Sequence, residues 1–168
     1  MEPGRDAWEL LKQVWLKRPT TITLPVDPVA IGEDLEIEVL WDDELAPEVS
    51  SVLRKAPGSG PPRILLNPID GLDRRRFPCA LALGHYSRSV ELGLDGPWDF
   101  VEGRDFLSRG GLDDDQAYSL KFAEELLMPR VALREVLDTR SVVALATFFG
   151  VPGDVMSYRL GRVGMGAR

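Results

Sequence analysis

One short stretch constrains this chain more than any other. Phe77, Ala80, Leu81, Gly84 and His85 recur at i, i+3, i+4, i+7 and i+8, the spacing that lines one face of an α-helix. That face is apolar apart from a single imidazole. The pattern predicts a central helix over residues 73–90, with Pro78 in its first turns, where proline is best tolerated.

The 168 residues are enough for one domain with a proper core. The chain is read as a single domain, 1–168, with an N-terminal helical extension over 1–18 and helix-turn-helix-like helices over 139–162. A hydrophobic fraction of 44% and a charged fraction of 28% are ordinary for a soluble globular protein. The net charge of −7 does not favour broad binding to phosphates or anionic membranes and leaves room only for a local basic patch. Cys79 is the only cysteine, which excludes an internal disulfide and fits a reducing cytoplasm. No apolar run resembles a secretory signal or is long enough to span a bilayer.

Trp8, Leu10, Leu11 and Trp15 form an apolar stripe, predicting an amphipathic helix over 6–17. A break follows at 19–24. Asp27-Pro28 is a helix start, with Asp as cap and Pro at the first helical position. Residues 37–41 and 49–55 read as strands. The turn at 57–62, Pro-Gly-Ser-Gly-Pro-Pro, leads into a buried strand at 64–67, so 49–67 predicts a hairpin. Residues 91–111 are Gly-rich and read as a long loop, with room for a short helix. Asp113, Asp114 and Asp115 suit the positive end of a helix that runs to Met128. Further helices are expected at 131–137, 141–149 and 152–160, the last two around Gly150.

The central helix also carries a chemical pattern. A zinc peptidase helix needs His-Glu-x-x-His: the two histidines sit one turn apart and share a metal, and the Glu activates the metal-bound water. Here the first His position is Leu81, the Glu position is Ala82, and only His85 remains.

Four pieces in order resemble the ImmA/IrrE family of metallopeptidases. They are Ile64-Leu65-Leu66-Asn67-Pro68, the Arg74-Arg75-Arg76-Phe77 lead-in to Leu83-Gly84-His85-Tyr86, Phe122-Ala123-Glu124-Glu125-Leu126-Leu127-Met128-Pro129, and the tail Leu145-Ala146 through Phe149-Gly150-Val151 to Met156-Ser157-Tyr158-Arg159-Leu160. The resemblance covers roughly residues 27–162. It implies a zinc-dependent, cytosolic, bacterial or phage-encoded protein acting on a helix-turn-helix repressor. The family's third ligand, a Glu four residues before the signature Phe, falls on Tyr118, and the Ala-Asn pair after it falls on Ser119-Leu120. The scaffold residues are kept and the ligands are not.

A catalytic zinc site takes about three protein ligands, and His85 supplies one. Cys79 lies roughly 200° around the helix from Leu81 and faces elsewhere. The only nearby acids to consider are Asp113 to Asp115. His85 is read as a core residue with one hydrogen-bond partner, Tyr118 if the two helices face each other. No metal and no cofactor are therefore assigned. Leu81, Ala82, His85 and Tyr118 are the candidate lining of a degenerate binding groove.

Arg74, Arg75 and Arg76 read as a solvated helix start, or else as a dock for an acidic partner. An exposed Trp8 or Trp15 would suit an interface. From Thr139 onward, Arg140, Arg159, Arg162 and Arg168 outnumber Asp154, so Arg159 and Arg162 are candidate DNA or partner contacts, although base-reading Asn and Gln are lacking.

The reading that follows is a pseudo-metallopeptidase: a non-catalytic, cytoplasmic module that binds a DNA-binding regulator or a partner encoded beside it, with no membrane contact. The alternatives are an active zinc enzyme with rearranged ligands (His85 and an acid from 113–115) and a DNA-binding protein using its C-terminal helices. The fold class is α+β: a small, mostly antiparallel sheet of about three strands packed against a zincin-like helix pair, with further helices at both ends.

Overall fold

The computed structural model describes residues 2–15, 23–58, 60–71, 74–108, 111–137 and 140–164. The expected helix end at Lys17, most of the break at 19–24, Asp73, Thr139 and Arg168 lie outside these residues. No helix among them is long and apolar enough to cross a membrane.

Helix α1 (Pro3–Leu10) starts with a proline in its first turn and passes directly into a π-helical turn, Leu11–Trp15. Ala7 and Leu11 are fully buried, and Trp8, Leu10 and Trp15 are half-buried against the same core. The Trp15 indole donates to the Thr23 carbonyl at 2.8 Å. Helix α2 (Pro28–Asp34) begins as the sequence predicts, with the Asp27 carboxylate accepting from the Val29 amide at 3.0 Å.

Four strands follow: β1 (Glu38–Trp41), β2 (Val49–Lys55), β3 (Arg63–Leu66) and, after helix α3 (Arg76–Glu91), β4 (Trp98–Gly103). They form one sheet in the order β1-β3-β2-β4. The β2–β3 hairpin pairs Leu53 with Ile64, as its turn signal demands. The expectation of a three-stranded, mostly antiparallel sheet needs two corrections. β1 runs parallel to β3, with Leu40 opposite Leu65. In addition, β4, which lies in the stretch read as a loop, adds antiparallel to β2 with Leu53 opposite Phe100. The sheet is therefore four-stranded and mixed, and the fold remains α+β.

β4 is missed because its alternation runs against hydropathy. Trp98 and Glu102 are buried while Val101 between them is 51% exposed, so a carboxylate occupies a position that a strand pattern reserves for an apolar side chain. A strand flanked by Gly96-Pro97 and Gly103 then reads as a loop.

Helix α4 (Asp114–Leu127) starts with a full capping box: the Asp113 carboxylate accepts from the Gln116 amide at 2.8 Å, and the Gln116 side chain accepts from the Asp113 amide at 3.3 Å. Three shorter helices close the chain: α5 (Arg130–Val136), α6 (Val142–Phe149) and α7 (Gly153–Arg162). Gly150 ends α6 in the left-handed region at φ 64°, where a glycine carries no Cβ penalty.

The arginine run is built into the fold. Arg75 stacks on the Trp41 ring at 4.2 Å and donates to the Asp70 carbonyl at 2.6 Å. Arg76 presses on the α6–α7 turn so closely that a Cβ on Gly150 would meet its guanidinium.

The core lies between the sheet and the α3–α4 pair, filled by Leu53, Ile64, Leu66, Leu83, Leu120 and Phe122. α3 and α4 come close together at Gly84, where an added Cβ would lie 2.7 Å from Ser119 Cα. Neither backbone can move without unpacking this core, so Gly84→Ala should destabilise the protein by about 1–3 kcal/mol or more through overpacking. Urea unfolding checks this: a lowered midpoint at unchanged slope is expected. A midpoint equal to that of the native chain would mean the helices can separate freely.

Candidate functional site

The residues singled out on α3 all point inward. Leu81 is 2% exposed, Ala82 1% and His85 3%. Leu81 and Ala82 fill the core beside the sheet, as their side chains dictate. His85 faces β4: its Nε2 lies 2.5 Å from Glu102 Oε1, and its ring stacks on Phe100 with centroids 4.5 Å apart and planes at 13°. Both partners are 97% buried, since each side chain keeps only 3% of its exposure. His85 Nδ1 and Glu102 Oε2 have no hydrogen-bond partner among the described residues.

Tyr118 is not the partner of His85. Its hydroxyl donates to Asp6 Oδ2 of α1 at 2.7 Å, and the Arg88 guanidinium lies 5.3 Å from its ring centroid. Burial, followed by the Asp6 hydrogen bond, pushes the phenol well above its ordinary range. Two positions expected to share a groove are thus separated, His85 toward the sheet and Tyr118 toward the N-terminal helix. Glu102 and Phe100 lie within the stretch read as a loop, and the only sequence trace of the pair is the inverted alternation of β4.

The zinc implied by the sequence resemblance does not fit these residues. Leu81 and Ala82 offer no donor, and the Tyr118 hydroxyl is engaged by Asp6. Of the nearby acids, Asp113 caps α4 and Asp115 pairs with Arg88 at 2.7 Å. His85 and Glu102 are two donors, one fewer than a catalytic zinc needs. Among the described residues no three His, Cys, Asp or Glu side chains gather closely enough to share an ion.

Over Leu81 opens a cleft of about 260 Å³. Phe77, Pro78 and Leu81 line one side, the segment from Gly103 to Ser108 the second, and Pro152, Val155 and Tyr158 the third. Its charges are largely paired: Arg104 binds Asp70, and Arg74 lies 3.5 Å from Asp154. Such a surface presents apolar side chains rimmed by charge pairs, an arrangement suited to holding a ligand.

The two tail arginines have different surroundings. Arg159 is 4% exposed; its Nη2 donates to Glu125 Oε1 at 2.5 Å and to the Met128 carbonyl at 3.3 Å, and its Nη1 lies 3.5 Å from Glu124 Oε2. It joins α7 to α4 and is buried away from any duplex. Arg162 shares Glu124 at 3.5 Å and stays one-third exposed. Burial raises the pKa of Glu124, against the pull of both guanidiniums. Cys79 is fully buried, with its thiol pushed far up by that burial and by Asp27, so it has no reactive thiolate.

The His85–Glu102 pair makes a separable prediction. Glu102→Leu alone strands a buried imidazole and should cost about 1–3 kcal/mol. Adding His85→Phe should recover most of that loss, because both polar groups are then gone. Chemical denaturation of the four proteins of the cycle measures the coupling, and simply additive losses would mean the two side chains do not support each other.

No curated protein matches the chain. The sequence model of the IrrE N-terminal-like domain matches residues 37–161. That span opens just before β1 and takes in the whole sheet, the α3–α4 pair and the C-terminal helices. With most of its length and every element around His85 inside the match, the chain belongs to the IrrE N-terminal-like family of metallopeptidase domains.

Proposed function

We propose that the chain is a non-catalytic member of this family, which holds a protein partner in the cleft over Leu81. The partner class we favour is a helix-turn-helix transcriptional regulator, or the product of a gene beside its own, in the cytoplasm of a bacterium or a phage host. One observation carries the reading. The positions that would coordinate and activate are Leu81, Ala82 and Tyr118, and the remaining imidazole is engaged by Glu102 at 2.5 Å.

The rearranged-ligand alternative gains Glu102 as a second donor. Among the described residues it lacks a third: Asp113 and Asp115 serve the α4 cap and Arg88, and Asp114 is exposed. The DNA-reading alternative is weakened by the burial of Arg159 beneath Glu124 and Glu125.

Metal analysis of protein purified without chelator, paired with cleavage assays on a co-encoded regulator, tests the proposal. The expected result is no stoichiometric zinc, no cleavage, and a stable complex. Tyr158→Ala, at the cleft wall, should weaken that complex by about tenfold. About one zinc per chain, lost together with cleavage in His85→Ala, would replace this reading with the rearranged enzyme.

A further inference from the structure

We infer that a second cavity, away from His85, binds a small phosphate-bearing anion. It lies where the start of α1 meets α4, the start of α5 and the end of α7, and holds about 640 Å³, within the range of small-molecule sites. Arg5, Lys121, Arg130, Arg159 and Arg162 line it, against the carboxylates of Glu2 and Glu125. Cations outnumber anions there in a chain whose net charge is −7, so this is the local basic patch that bulk charge conceals.

Three observations make it more than a cluster of surface charge. First, Arg159 borders the cavity while 4% exposed, and its buried Nε has no hydrogen-bond partner among the described residues. From behind, Glu124 holds Arg159 and Arg162 at 3.5 Å each, and Glu125 holds Arg159 at 2.5 Å. The two guanidiniums are thus positioned before any ligand arrives. Second, Arg5, Lys121 and Arg130 are exposed at the rim, and their side chains make no hydrogen bond or ion pair among the described residues. Third, α1 begins here with no side-chain cap; Pro3 has no N–H and the Arg5 amide donates to the Glu2 carbonyl at 2.9 Å, so the Gly4 amide is what the positive pole of the helix presents.

The chemistry favours phosphate over other anions. Several guanidinium forks plus a point charge from lysine match a compact, multiply charged oxyanion with several acceptor oxygens. The walls are mostly polar, which disfavours an apolar acid. A duplex carries its phosphates on a convex backbone, whereas a small phosphate fits within the cavity among the exposed Arg5, Lys121 and Arg130, with Arg159 and Arg162 adding positive field from the wall. With Arg159 and Arg162 already paired to Glu124 and Glu125, the cations left for an anion to balance are Arg5, Lys121 and Arg130. This inference is independent of the cleft over Leu81.

Calorimetric titration of the full chain with inorganic phosphate and with pyrophosphate, at low salt, tests it. The expected result is one site per chain, pyrophosphate binding more tightly than phosphate, and affinity that falls as salt rises. Arg5→Ala with Arg130→Ala should weaken pyrophosphate by about tenfold or more. Because neither side chain holds the fold together, the unliganded variant should melt with the native chain, while pyrophosphate raises the melting point of the native chain alone. If inorganic phosphate binds and pyrophosphate does not, the ligand is free phosphate; the reverse assigns a polyphosphorylated metabolite; either supports the site. No heat and no thermal shift with either anion overturns it. So does unchanged affinity in the double variant, or duplex binding that depends on the same arginines and that neither anion displaces.

Discussion

The contact between α3 and α4 at Gly84 and Ser119 is the constraint on which the rest of the structure depends. With a Cβ at Gly84 excluded by the Ser119 backbone at 2.7 Å, the two helices lie too close for a ring to stand between them at that point. This fixes the rotation of both. His85, one residue on, lies against β4, and Tyr118, one residue back, lies against α1. The apolar positions around them, Leu81, Leu83, Phe122 and Leu126, fill what remains, and all are buried. In a metalloenzyme of this helix geometry the opposed faces would deliver ligands to a common ion. Here they deliver a core and two separate polar contacts.

Charge is handled by segregation. The buried Glu124 stands behind two guanidiniums, and Glu125 with the Met128 carbonyl holds Arg159 from the other side, so the interior cation is paired more than once, as a buried charge must be. That network makes α7 part of the α4 surface. A helix whose most deeply placed cation is locked onto its neighbour is a structural element first, whatever its resemblance to a DNA-reading unit.

Local signals in the sequence were legible and distant ones were not. Asp27 before Pro28, the turn between β2 and β3, and Asp113 with Gln116 each state their structure within a few residues, and each stands where its chemistry puts it. The inward set of α3 was legible for the same reason, because Phe77, Leu81 and His85 share one helical period. What could not be read are the pairings across the chain. The parallel match of β1 to β3 is written in neither strand alone. The partner of Tyr118 is 112 residues away. The partner of His85 lies on a strand whose inward residue is a glutamate, so the feature that makes Glu102 chemically interesting is also what concealed its strand. Arg159 was placed on the right helix, but helical periodicity does not reveal that an acidic pair waits beneath it.

β4 joins the sheet through β2 and not through its nearer neighbour β3, and one of its cross-strand contacts, Arg54 to Asp99, spans 45 residues. β3 and all of α3 lie inside that loop. Closing it costs chain entropy that grows with the enclosed length, and contacts of such separation form slowly. The hairpin can form from neighbours alone, and α3 can settle on it, before the last strand is laid down. Both partners of the molecule's only histidine, the Glu102 carboxylate and the Phe100 ring, come from that last strand. The surroundings of His85 therefore report whether β4 has joined the sheet.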